Sequence, residues 1–239
     1  NGADFINIDN CLMEAGTGSS TVANVIYWSS TSSYWNITNS EIVGGYYATY
    51  SGGTSVNNIT FDNCEFRDAY YMSIYAYYLD NLKVLNSEFK DWSYQYNYAW
   101  YVYYADDVEF HNNRIEQSYY CTYFYYGEKA KITNNIINGS YYDLRFYRHN
   151  NGSDTTWVIN NMVTTPGYYG YYHYYNENTM IYHNSFNISG NGYSLYCYQG
   201  SDNEFVNNSV VINSSGYYAI YNYYGFDVMD YNNWYIPGS

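Results

Sequence analysis

The segment YDLRFYRHNNGSD, residues 142–154, carries the densest set of groups able to do chemistry, in a chain with only 8 Lys and Arg residues against 22 Asp and Glu. Arg145 is the residue type that recognises a carboxylate through a forked pair of hydrogen bonds. With Asp143 two residues before it and His173 in the next coil, it defines a candidate acid–base cluster at which an acidic sugar could dock. A second set is purely acidic. Asp80, Asp106, Glu128, Asp154 and Glu177 each stand six residues before a recurrent Asn or His. Like charges at a spacing of about 4.8 Å repel unless solvated or bridged by a cation, so this column is a candidate Ca2+ site built from turn oxygens. Asp106 and Asp107 do not make a glycosidase pair, because neighbours on an extended strand point to opposite sides, whereas such carboxyls face each other across about 5 to 9 Å.

The third set is phenolic: 41 of 239 residues are Tyr. Seven segments align, from Met72, Tyr98, Tyr120, Tyr142, Tyr169, Tyr193 and Tyr218. Their fourth position reads Tyr75, Tyr101, Tyr123, Arg145, Tyr172, Tyr196 and Tyr221, and their sixth Tyr77, Tyr103, Tyr125, Tyr147, Tyr174, Tyr198 and Tyr223. In a strand, positions two, four and six share one face and three and five the other. Position three is mostly apolar (Ile74, Trp100, Leu144, Leu195, Ile220), while positions two and four admit Asp143 and Arg145. Burying a charged pair is costly, so the four/six face is expected outward, with the small residues at position two leaving a shallow lane beside it. These fourteen residues are the expected ligand-binding surface.

The elements that must position these columns follow from a repeat of about 25 residues. An apolar residue, a spacer, an Asn or His, two further residues and a second apolar residue recur ten times, at Asn10, Asn39, Asn63, Asn86, Asn112, Asn134, Asn160, His183, Asn207 and Asn232. Two residues before the anchor stand Ile8, Ile37, Phe61, Val84, Phe110, Ile132, Val158, Ile181 and Phe205, with Asp230 breaking the column; Met13 to Tyr235 fill the column three residues after. Short strands at this period cannot bury their own apolar side, so successive units must stack, with asparagines hydrogen-bonding along the pile. The fold class is therefore all-β: a single parallel β-solenoid of about ten coils over residues 1–239.

The doubled asparagines, such as Asn134 and Asn135, and the closing DYNNWY resemble the right-handed parallel β-helix repeats of pectate-lyase-like proteins and of large surface proteins. That resemblance covers the whole chain and implies the fold. It leaves the function open, since lyases, hydrolases, adhesins and stalks share the superfold.

Composition narrows the partners. A net charge of −14 leaves no basic patch for a phosphate backbone, so nucleic acid is excluded as a partner. No apolar run reaches the roughly 18 to 20 residues of a membrane span. The opening NGADFINIDN has neither Met nor a charged leader, as expected of a piece of a longer secreted or surface protein with neighbouring domains. Cys11, Cys64, Cys121 and Cys197 lack metal-ligand spacing and are expected as small buried thiols. The leading expectation is an extracellular module that binds polysaccharide or another surface through its tyrosines. Catalysis at Arg145, and a redox path of closely spaced phenols, are the alternatives.

Overall fold

The computed structural model describes residues 4–28, 31–53, 56–150, 152–165, 167–190, 192–213, 218 and 220–236. All regular structure in them is β, and no helix among them is long and apolar enough to cross a membrane. The chain winds into a three-sided solenoid in which every strand pairs in parallel with its counterpart one coil away. The first side is a ten-stranded sheet from Asp4–Asp9 to Val228–Asp230. The second runs from Leu12–Ala15 to Asn233–Tyr235, and the third from Asn24–Trp28 to Ile220–Tyr223. Complete three-sided turns are slightly fewer than the ten expected, because the last coil shows a first and a second side only among the described residues.

The two apolar columns explain the stacking. Ile37, Phe61, Val84, Phe110, Ile132, Val158, Ile181 and Phe205 are buried on the first side, and Ile42, Phe66, Phe89, Ile115, Ile137, Val163, Phe186 and Val210 on the second. Phe66 stacks directly on Phe89 at 4.6 Å within the second column, and on the third side Phe124 stacks on Phe146 at 5.1 Å. Each unit thus buries its apolar side only against its neighbours.

The corner between first and second sides needs a left-handed residue, which Asn adopts at lower cost than other side chains. Nine of the anchors, Asn10 through Asn207 with His183 among them, have φ between 50° and 58°. The tenth is displaced by one residue: Tyr231, at φ 54°, occupies the corner, not Asn232. This correction repairs the broken column, since Met229 pairs with Phe205 and Trp234 with Val210, and Asp230 is simply an outward residue.

One residue further on lies a second ladder, buried. The side-chain oxygen of Asn135 accepts from the backbone N–H of Asn113 at 2.8 Å, Asn161 serves Asn135 at 3.0 Å, Asn184 serves Asn161 at 2.8 Å, Asn208 serves Asn184 at 2.9 Å and Asn232 serves Asn208 at 2.8 Å. Each amide N–H2 also donates to a backbone carbonyl of that same preceding coil, for example Asn161 to the oxygen of Ile132 at 2.8 Å. Buried amides are tolerated only when paired in this way.

Candidate binding surface

The third side carries the tyrosines, in the register read from the sequence: Met72, Tyr98, Tyr120, Tyr142 and Tyr169 pair in turn, and Tyr171, Leu195 and Ile220 continue the alignment. Positions three and five point inward. Trp100, Leu144, Tyr171, Phe124 and Phe146 are fully buried. Positions four and six face out, half-buried against one another in all but the last coil, where Tyr223 is exposed.

The sixth-position column is continuous. Ring centroids are 5.2 Å apart from Tyr77 to Tyr103, 4.8 Å from Tyr103 to Tyr125, 4.9 Å from Tyr125 to Tyr147 and from Tyr147 to Tyr174, 5.1 Å from Tyr174 to Tyr198 and 5.2 Å from Tyr198 to Tyr223. Because the faces are taken up by neighbouring rings, this column presents ring edges and hydroxyls outward, not flat faces. The fourth-position column is more varied. Tyr101 stands at 88° to both Tyr75 and Tyr123, whereas Tyr172, Tyr196 and Tyr221 stack within 9°. It also extends further than expected: Tyr27 stacks on Tyr50 at 5.3 Å and Tyr50 on Tyr75 at 5.0 Å. Those two were missed because their strands lack a tyrosine at position six, although the spacing in YATY was a visible signal.

Two flanking columns join the surface. Position one stacks from Tyr98 through Tyr120, Tyr142, Tyr169 and Tyr193 to Tyr218 at 4.3 to 5.9 Å. At position seven, the corner after the strand, Tyr78, Tyr104 and Tyr126 stack at 5.1 Å with left-handed φ of 49° to 56°. A bulky residue there is strained, by about 1 to 2 kcal/mol relative to a relaxed backbone. Stacking at about 0.5 to 1.5 kcal/mol per pair offsets that cost without making Tyr necessary, since Asn turns the other corners freely.

Burial sets the protonation of these phenols. It pushes Tyr75, Tyr125 and Tyr142 up to about 12, with neighbouring phenols adding to the shift in Tyr75, while the Arg145 charge opposes it in Tyr142. The hydroxyls of Tyr75, Tyr125 and Tyr142 therefore remain neutral donors and acceptors at physiological pH.

Position two departs from the expectation. Ser73, Ala99, Cys121, Asp143 and Ser194 are fully buried, so there is no outer lane. The strand bends as it leaves the second side, with register shifts around Ser118, and two successive residues, at positions two and three, both point inward. Asp143 consequently does not share a face with Arg145. It lies in the core, where its Oδ1 accepts from Cys121 Sγ at 3.6 Å, and burial raises its pKa well above the carboxylate range. His173 is buried too, its Nδ1 3.0 Å from Tyr171 Oη, and burial depresses its pKa to about 3. The catalytic cluster of Arg145, Asp143 and His173 is thus not assembled: its acid–base members sit inside the solenoid and its cation outside.

Arg145 itself stands where expected. Its guanidinium carbon lies 4.2 Å from the ring centre of Tyr123, 4.7 Å from Tyr142 and 5.4 Å from Tyr172. Arg148 takes the corner, 5.9 Å from Tyr126 and 5.6 Å from Tyr175, and donates to Tyr126 Oη at 3.0 Å. It lines a surface groove of about 610 Å³ with Tyr126, Tyr175, Glu177, Gln199 and Ser201.

The acidic column runs beside the corner tyrosines, but its carboxylates serve the backbone. Asp80 Oδ1 accepts from the N–H of Asp106 at 3.1 Å, and Asp106 Oδ1 from the N–H of Glu128 at 2.7 Å. Burial, and secondarily Asp80, Asp154 and Asp107, raise the Asp106 pKa. Among the described residues, Asp80, Asp106, Glu128, Asp154 and Glu177 are not part of any group of three His, Cys, Asp or Glu side chains placed to hold a metal ion. Cys64, Cys121 and Cys197 are buried free thiols as expected, but Cys11 is exposed.

A family model described as a right-handed β-helix region matches residues 2–153 and 98–234. No curated protein matches the chain. Among solved structures, that of the Streptococcus pneumoniae surface protein and adhesin PfbA is similar at 13% identity and a TM-score of 0.44, covering 97% of this chain and 84% of the other.

Proposed function

The chain belongs to the right-handed β-helix family, and from that premise we propose that it is a binding module of a secreted or cell-surface protein, engaging a polysaccharide along its tyrosine side. The observation that carries this reading is the sixth-position column, whose ring centroids repeat at 4.8 to 5.2 Å with their edges and hydroxyls outward, flanked by further phenol columns. A polymer of sugar rings repeats on nearly the same length and offers hydroxyls that can pair with such a row of phenol hydroxyls. An aromatic surface of this extent exceeds what a monomer usually leaves bare. A second reading rests on the same column: rings unbroken from Tyr77 to Tyr223 suit stepwise passage of an oxidising equivalent, which photochemical oxidation at one end would test.

The binding experiment is calorimetric titration of neutral oligosaccharides into the wild type and into the triple variant Tyr103→Phe, Tyr125→Phe, Tyr147→Phe. The variant keeps the stacked rings and loses three hydroxyls, each worth about 0.5 to 1.5 kcal/mol when paired. Affinity is expected to fall by about tenfold or more with the melting temperature unchanged. Equal affinity in both proteins would sink the reading.

A further inference from the structure

Most of the scarce cations have carboxylate partners. Arg67 pairs with Glu41, Glu65 and Asp68, Lys83 with Glu109, Lys90 with Glu65, Arg114 with Glu116 and Lys129 with Asp107. Lys131 stands in the open on the first side. The other two, Arg145 and Arg148, lie on the tyrosine side, with no carboxylate within ion-pair distance among the described residues. Arg148 is exposed, keeps one N–H on Tyr126 Oη and shares its groove with Glu177. Arg145 is the freer of the two. Three rings hold it in place, and its Nε is buried without a hydrogen-bond partner.

We infer that Arg145 is an anion subsite within the tyrosine surface, and that the ligand is a largely neutral chain bearing isolated anionic groups, not a polyanion. This rests on the reading of that surface as a glycan site. The fourth-position column holds Tyr at every other described coil from Tyr27 to Tyr221. A cation over rings and a ring stacked on rings contribute comparably, so stability does not select Arg over Tyr at this one place. The two terminal NH2 groups of Arg145 do offer N–H donors in a fork suited to carboxylate or sulfate, while its Nε–H is buried. Asp143, its neighbour in sequence, is turned into the core and supplies no countercharge.

The restriction to isolated charges follows from what surrounds it. No other coil places a cation at positions one, four or six. Asp80, Asp106 and Asp154 stand exposed along the corner, with Glu128 and Glu177 half-buried between them. A uniformly charged chain lying along the columns would meet cations only at the one coil that carries Arg145 and Arg148, and carboxylates at several others.

The test uses hexasaccharides of one backbone, carrying no charge, one central uronate, one central sulfate, or a uronate at every position, titrated into the wild type and into Arg145→Tyr, which restores the column's own residue. In the wild type the singly charged chains are expected to bind about tenfold more tightly than the neutral one, the uronate and sulfate arms telling which anion is preferred. In Arg145→Tyr that ratio should fall to about one. The proposal is overturned if the fully charged chain binds most tightly, if neutral and singly charged chains bind alike in the wild type, or if the preference survives in the variant. Separately, glucuronate and sulfate are titrated while the Tyr123 and Tyr172 ring resonances are followed by NMR. Saturable shifts lost in Arg145→Tyr would uphold the subsite even if no hexasaccharide bound, so that the polysaccharide reading alone would fail. Hexasaccharide binding without charge preference would leave that reading standing and remove the subsite, and silence in both experiments would remove both.

Discussion

Asp143 is the residue whose environment departs furthest from what its type would choose. It is fully buried beside Cys121 and Leu144, its Oδ2 has no hydrogen-bond partner, and burial raises its pKa well above the carboxylate range. A neutral acid in the fold and an ionised one in the unfolded chain means that, above about pH 4, unfolding releases a proton and stability falls as pH rises. His149 and His173 act with the opposite sign at the other end. Burial depresses both to about 3, so below about pH 6.5 the unfolded chain takes up protons that the fold refuses, and stability falls as pH drops. Asp143→Asn keeps the shape and removes the titration. Melting curves followed by circular dichroism from pH 5 to 8 should show the wild type losing stability between about pH 7 and 8, where the histidines are largely neutral in both states and the buried thiols of Cys64, Cys121 and Cys197 only begin to ionise in the unfolded chain, and the variant losing distinctly less. Parallel curves would mean that Asp143 is ionised in the fold.

At the scale of the element, the corner is stabilised by the buried amide ladder. Asn161 accepts from both the backbone and the side chain of Asn135, and donates to Ile132 and Asn184. Asn161→Ala strands at least the buried backbone N–H of Asn135, at about 1 to 3 kcal/mol for an unsatisfied group, while the Asn184 oxygen keeps the backbone N–H of residue 161. Asn161→Ser should cost less, because a serine hydroxyl already fills this role elsewhere: Ser87 Oγ accepts from the N–H of Cys64 at 3.1 Å. Denaturant titration of both variants checks the order, and an alanine variant as stable as the serine one would show that the ladder is incidental to stability. The corner was legible in the sequence because Asn recurs where a left-handed residue is needed, and the strands because apolar residues alternate at fixed distances from it. The last anchor was misplaced by one residue because Tyr231 turns a corner that Asn turns elsewhere, so the residue type no longer marks the geometry. Position two was misread for a related reason: a strand that bends between two sides departs from the strict alternation that assigned Asp143 outward.

For the molecule as a whole, the two readings of the tyrosine side differ in how binding scales with length. Each coil contacts only its neighbours, so the columns repeat the same local surface along the axis, interrupted only at Arg145. A ligand read by repetition gains a similar increment at each coil, and its affinity should climb with every added sugar over many units before levelling off. A ligand held in one pocket, such as the groove of about 610 Å³ lined by Tyr126, Arg148, Tyr175 and Glu177, gains nothing beyond the few units that fill it. Titration of a neutral oligosaccharide series from two to twelve units therefore separates the two. A steady rise in affinity across the series, lost together with the three hydroxyls of Tyr103, Tyr125 and Tyr147, would make the solenoid itself the recognition element. A plateau within the first few units would move the site to the groove and leave the remaining tyrosines as the ladder that stabilises a thin fold. The net charge of −14 adds a control, because binding of an uncharged chain should be insensitive to added salt, whereas contact through Arg145 with a charged one should weaken as salt screens it.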